Sequence, residues 1–119
     1  MSTFQGDVAE ELEPVWKALS NPVRRHILDL LRDGPRTTGD LAGAIPQLTR
    51  FAVMQHLKVL EKAELVIPRR EGRQRFNYLN PAPIQRLFDR WVVRYMRPWT
   101  EALVSMKQDL ESKSREDRA

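Results

Sequence analysis

Thr49-Arg50-Phe51-Ala52-Val53-Met54-Gln55-His56-Leu57-Lys58-Val59-Leu60 is the stretch on which the fold turns. At about 100° per residue, Ala52, Val53, His56, Leu57 and Leu60 fall on one side of a helix. Phe51, Met54, Gln55, Lys58 and Lys62 fall on the other. Thr49 is placed to cap the N-terminus, and Leu48 before it can staple onto Val53 one turn inside. One face is therefore buried and the start is well specified. The outward face, with an aromatic ring, a thioether, an amide and lysines, is unusual for a solvated helix. It suits a helix that enters a nucleic-acid groove: Gln for a base edge, Phe and Met for thymine methyls or sugars, Lys for phosphate. An amphipathic core helix with two stray apolar residues fits the same stretch equally well. The flanking segments decide between them.

Upstream, Thr37 with Asp40 three residues on resembles a capping box, and Leu41, Ala42 and Ile45 give a short helix its apolar face. Pro46 closes that helix, and the turn Pro46-Gln47-Leu48 leads into the opening stretch, forming a helix-turn-helix. Downstream, Leu65–Arg70 and Arg73–Leu79 are extended in character and are separated by Glu71-Gly72, which predicts a β-hairpin. Pro68 lacks an amide donor and marks an edge. Arginines crowd the tip (Arg69, Arg70, Arg73 and Arg75). Charge alone would protect an edge, but lysine or glutamate would do that as well, whereas arginine fits phosphate forks and narrow minor grooves. A hairpin of this kind after a helix-turn-helix is a wing.

Residues 1–6 read as loose. Val8, Leu12, Val15, Trp16 and Leu19 then follow helical spacing, with Pro14 either kinking that helix or opening its regular part. Ser20-Asn21-Pro22 stops it and starts a second helix, Asn21 as cap and Pro22 at the first position. Val23, Ile27, Leu30 and Leu31 form its apolar face, with Leu28 beside them. His26 has no partner nearby in sequence and reads as a structural or surface residue. Beyond the wing, Asn80-Pro81 starts another helix with Ile84, Leu87, Phe88, Trp91, Val92 and Tyr95 on its apolar side. Trp99, Leu103, Met106 and Leu110 continue the pattern after Pro98, which should kink the segment or split it. This is more apolar surface than a small winged domain can bury. It serves either as an added layer of the same chain or as a dimer interface, and the surplus, taken with the first helix, favours the dimer. The tail from about Ser112 reads as disordered.

The chain has 119 residues, enough for one domain with one modest core. Its net charge of +4 is mild, so distribution matters more than total. Basic residues concentrate between Arg50 and Arg75, while the first twenty residues run acidic. With no cysteine there is no disulfide and no thiolate nucleophile or metal site. His26 and His56 fall on separate segments, so neither a metal nor a cofactor is expected. No nucleophile–base pair, Gly-rich phosphate loop or paired acid constellation points to an enzyme. Without a transmembrane run or signal pattern, the chain reads as a cytoplasmic protein with no membrane partner.

The chain resembles the ArsR-type (ArsR/SmtB) winged-helix transcriptional repressors over roughly residues 10–110. The resemblance is carried by Leu19-Ser20-Asn21-Pro22-Val23-Arg24-Arg25, Ile27-Leu28, Leu30-Leu31, Leu41-Ala42, Ala52-Val53, His56-Leu57-Lys58-Val59-Leu60 and Arg70-Glu71-Gly72-Arg73. It implies a mainly α fold with a small β-hairpin, a homodimer joined by its outermost helices, and a recognition helix at Thr49–Leu60. Metal sensing does not carry over, because the family's metal-sensing members use a Cys pair or Asp/His ligands on the last helix, and here there is no Cys and the last helix has no His; the chain resembles the non-metal branch. Glu64 also departs from the family, which usually has a left-handed glycine there. Such a residue is strained unless the helix ends differently.

The expectation is a single winged helix-turn-helix domain over 1–119: a dimerisation helix at 8–20, a core at 21–80, dimerisation helices at 81–111 and a tail at 112–119. Its function is to bind double-stranded DNA as a homodimeric repressor on an inverted-repeat operator. The expected DNA contacts are Thr38, Thr49, Arg50, Phe51, Met54, Gln55, Lys58, Arg70, Arg73 and Arg75. Leu12, Trp16, Trp91, Tyr95, Trp99, Leu103 and Met106 are expected at the dimer interface. The rival reading is a winged helix that pairs with a protein partner through Trp91, Tyr95 and Trp99 and does not bind DNA. The sequence identifies no small-molecule inducer.

Overall fold

The computed structural model describes residues 7–118, with the side chains of residues 10–116. The loose stretch expected at residues 1–6 and the Val8 side chain lie outside the described residues. Two compact units divide between Gln85 and Arg86.

The first unit opens with α1 (Asp7–Leu19), a continuous helix that runs through Pro14, and α2 (Pro22–Leu31). The break between them is specified twice. Asn21 Oδ1 accepts from the backbone N–H groups of Val23 and Arg24, and Pro22 takes the position whose N–H would have no partner. The loose carbonyls at the end of α1 are satisfied from α2: Arg24 donates to Ala18 O and Lys17 O, and Arg25 to Leu19 O. Two successive arginines thus hold the helix corner.

A two-residue strand β1 (Arg36–Thr37) leads into α3 (Thr38–Ala44), then α4 (Arg50–Lys62), β2 (Val66–Glu71) and β3 (Gln74–Leu79). The three strands form an antiparallel sheet in the order β1-β3-β2. The hairpin alone was expected, and β1 is an addition. It is fixed by Asn77, fully buried, whose Nδ2 donates to Arg36 O and Thr38 Oγ1, both at 3.2 Å. The hairpin turn falls one residue later than Glu71-Gly72. Glu71 pairs with Gln74, leaving Gly72-Arg73 as the connection with Gly72 at φ +64°. Glycine at the first position of a two-residue turn matches the right-handed twist of the strands.

The core of this unit is the apolar side of every element. Leu12, Val15 and Ala18 meet Ile27, Leu28 and Leu31, and Leu41, Val53, Leu57, Leu60, Leu65 and Val66 close it, all buried. The opening stretch therefore buries Val53, Leu57 and Leu60 and half-buries Ala52 and His56, on the side its periodicity indicated.

At the end of α4, Glu64 adopts φ +62°. Leu65 N–H donates to Leu60 O and Glu64 N–H to Glu61 O, each at 2.9 Å, which is a complete Schellman closure. The helix ends as the family's glycine would end it, with a Cβ in a region that disfavours one. Asn80 locks the corner from the far strand, donating through Nδ2 to Glu64 O and through its backbone to Leu65 O.

Helix α5 (Ala82–Leu87) spans the division between the units, and a π-helical segment, Phe88–Val93, and α6 (Arg94–Arg118) follow. Pro98 was expected to kink or split this region; it does not split it, since α6 runs through it. The irregularity lies earlier, in the π segment. The tail expected to lack order from Ser112 continues α6 to Arg118. Its charges sit at helix-supporting separations, Lys107 with Glu111, Asp109 with Lys113 and Glu111 with Arg115. Within the second unit Trp91 and Tyr95 stack at 5.9 Å, and the Arg90 guanidinium lies 5.0 Å from the Trp91 ring centre.

Candidate nucleic-acid interface

Thr49 fixes where α4 begins: its side chain accepts from Ala52 N–H at 3.1 Å. Because the core takes Val53, Leu57 and Leu60, the helix must turn Arg50, Phe51, Met54, Gln55 and Lys58 outward, and all five are exposed. Phe51 is 69% exposed. A ring left so open on a well-packed helix is not a core residue that missed its place.

Between this face, the start of α3 and the wing lies a cleft of about 360 Å³. Thr37, Thr38 and Gly39 line one wall, Arg50, Met54, Leu57 and Lys58 the second, and Arg70, Arg73, Gln74 and Arg75 the third. Five cations line it and no carboxylate does, so positive charge predominates in the cleft. Six of the expected DNA contacts besides Thr38 meet here: Arg50, Met54, Lys58, Arg70, Arg73 and Arg75. Thr49, Phe51 and Gln55 lie on α4 outside the lining. Thr37, Gly39, Gln74 and the core residue Leu57 join the cleft without having been expected. Gln74 had a signal, its place beside the hairpin turn, but Thr37 and Gly39 come in only through the pairing of β1 with β3.

Three expected contacts have prior engagements. Thr38 is buried, and its Oγ1 accepts from Asn77. Arg75 forms an ion pair with Glu61 on α4, which ties the hairpin to the end of that helix. Thr49 uses its side-chain oxygen as the helix cap. Arg69, Arg70 and Arg73 are exposed at the wing tip, and Arg70 and Arg73 also line the cleft. The acid there, Glu71, is occupied within the wing: Arg69 lies 4.0 Å away and Tyr78 Oη donates to its carboxylate at 3.0 Å. That hydrogen bond raises the Tyr78 pKa above its ordinary value, since the neutral phenol is the donor.

Behind the outward face, His56 Nδ1 lies 3.3 Å from Arg24 Nη1, the arginine that also caps α1. Burial, then the neighbouring guanidinium, hold the His56 pKa below its ordinary value. A neutral ring can accept from Arg24, while a protonated one would repel it.

Of the residues expected at a dimer interface, Leu12 is only 4% exposed and belongs to the first unit's own core, whereas Trp16 beside it is 42% exposed. In the second unit Trp91 is half-buried and Tyr95, Trp99, Leu103 and Met106 are exposed. Among the described residues, no group of three or more His, Cys, Asp or Glu side chains is placed to hold a metal ion. No helix among them is long and apolar enough to cross a membrane.

A helix-turn-helix domain model matches residues 19–69. The chain is 36% identical over 115 residues to the HTH-type transcriptional regulator Rv2034 of Mycobacterium tuberculosis, covering 94% of this chain and 95% of that one. It is 34% identical over 82 residues to the transcriptional repressor SdpR of Bacillus subtilis, covering 69% of this chain and 89% of the repressor. Among solved structures it is similar to an ArsR-like transcriptional regulator from Rhodococcus sp. RHA1. There the TM-score is 0.72 at 28% identity, with 92% of this chain and 98% of that chain covered.

Proposed function

The chain belongs to the ArsR-type family of winged-helix transcriptional regulators, and on that premise we propose that it acts as a homodimeric repressor on an inverted-repeat operator. The family regulates transcription by binding DNA and is not a family of enzymes. In the proposed complex α4 of each protomer enters a major groove, the two grooves lying about 34 Å apart on one face of the duplex. Arg70 and Arg73 at the wing tip and Arg50 and Lys58 along α4 neutralise phosphates, and Gln55 reads a base edge. Trp16, Trp99, Leu103 and Met106 take part in holding the protomers together. Segments 8–20 and 81–111 serve dimerisation and 21–80 serves DNA. The place of action is the cytoplasm, where the DNA of bacteria such as its relatives' sources lies.

The observation that carries this reading is the cleft: an exposed recognition face and a wing that converge on one channel whose charged groups are all cationic. Phosphate neutralisation releases counterions, so affinity should fall linearly with salt on logarithmic axes. The test is to recover fragments of genomic DNA with the purified protein and measure their binding at several salt concentrations. The expected fragments share an inverted repeat and bind far more tightly than random duplex. Failure to bind duplex DNA with a salt-dependent affinity would remove the reading and favour a protein partner.

A further inference from the structure

On the reading that this face enters a major groove, we propose that each half-site is centred on A·T pairs whose thymine methyls are read by Phe51 and Met54, with Gln55 pairing to an adenine in the same window. Phe51 is 69% and Met54 40% exposed, so apolar groups stand open in the wall of a cationic cleft, at Met54, and just outside it, at Phe51. An occupant that suits both is anionic along its edges and apolar in its middle. Duplex DNA meets that description where thymines line the groove, because the C5 methyl of thymine is the apolar group on its major-groove edge. The hydrogen-bonding inventory agrees. Guanine is read most often by Arg or Lys on O6 and N7, yet the two cations of this face, Arg50 and Lys58, both line the cleft with the wing arginines. Arg50 Nη1 lies 3.9 Å from where a Cβ at Gly39 would be, turned toward the start of α3. Gln55 is left as the exposed amide between the apolar pair and Lys58, and an amide forks onto adenine N6 and N7. From Phe51 to Lys58 the helix rises about 10 Å at about 1.5 Å per residue. The three reading side chains, Phe51 to Gln55, span about 6 Å of that rise, roughly two base pairs at about 3.4 Å each, and Lys58 one turn on meets the flanking phosphate.

The experiment selects sites from a random duplex pool with the full-length protein. Thymines of the selected half-site are then replaced one at a time by deoxyuridine, which keeps every hydrogen-bonding group and lacks the methyl. Affinity should fall about fourfold at each read methyl, the equivalent of about 0.8 kcal/mol at about 1.4 kcal/mol per tenfold. Phe51→Ala should become insensitive to uracil at one position and stay sensitive at the other, and Met54→Ala should show the converse. Both variants should melt as the parent does, since neither side chain is core. Half-sites with G·C pairs at the centre, or equal affinity for thymine and uracil throughout, overturn the proposal. If binding is specific and salt-dependent but indifferent to uracil, only this inference falls; if no salt-dependent duplex binding is seen, the regulator reading falls with it.

Discussion

Glu64 shows how a single residue can carry a backbone that does not suit it. The Schellman closure needs a left-handed residue after Ala63, and a side chain in that region costs about 1–2 kcal/mol relative to its ordinary conformations. Glycine would give back some of that through greater freedom when unfolded. Glu64→Gly should therefore raise stability by about 1 kcal/mol, seen in urea as a higher midpoint at unchanged slope. A lower midpoint would mean that the carboxylate itself does something for the corner. Arg73 and Arg75, two residues apart, separate contact from positioning. Arg73 is at the exposed turn, and Arg73→Ala should weaken operator and random duplex by similar factors and reduce the salt slope by about one unit. Arg75 is paired to Glu61. Arg75→Ala should leave the slope nearly unchanged and cost roughly 0.5 kcal/mol of stability, as ion pairs with one face in water do. Equal slope losses in the two variants would return Arg75 to the phosphate contacts.

At the scale of elements, helix starts were legible because they are written in adjacent residues. Asn21-Pro22, Thr37 and Thr49 each cap the helix that their spacing indicated. Strand β1 was not legible, since two residues cannot show an alternation and their partner, Asn77, lies 41 positions from Arg36. The π segment has no compositional mark, and only the proline downstream hinted at irregularity. The split faces of α4 were fully legible, but the engagements of Thr38 and Arg75 were not, because a sequence gives direction without neighbours. On the outward side of that helix, Gln55→Ala should cost about 1–3 kcal/mol per half-site on the operator and leave random duplex nearly unaffected. Equal loss on both duplexes would mean that Gln55 does not read a base. On the inward side, His56 gives α4 a pH dependence. Its folded pKa lies below the unfolded value of 6.5, so the unfolded chain binds the proton first. The stability concerned is complete above about pH 6.5 and is lost as pH falls toward the folded pKa. His56→Asn should flatten the stability–pH curve below that point, measured by urea unfolding at successive pH values. An unchanged slope would assign the acid sensitivity to carboxylates.

For the whole molecule, the question is what covers the last helix. Met96, Trp99, Leu103, Met106 and Leu110 recur at alternating separations of three and four, the pattern that keeps a stripe on one side of a helix. All five are at least 56% exposed, and a monomer seldom leaves so continuous a patch in water. In the proposed dimer, a symmetric seam brings each stripe against the partner's surface, and both copies of any substitution act at once. Replacing Leu103 and Met106 together by Glu would place four carboxylates per dimer in an apolar seam, a penalty of several kcal/mol. Sedimentation should then find monomers at concentrations where the parent is dimeric, with circular dichroism showing that the helices persist. DNA binding gives the second readout. A dimer holds its second half-site at a high effective concentration, which raises affinity for the full operator by about 10²–10⁴ over one half-site. The variant should bind a single half-site as the parent protomer does, because α4 and the wing are untouched, and should gain nothing from the second. An undisturbed dimer in sedimentation would place the interface elsewhere. A monomer that still binds the full operator with parental affinity would remove pairing from the proposed reading of an inverted repeat.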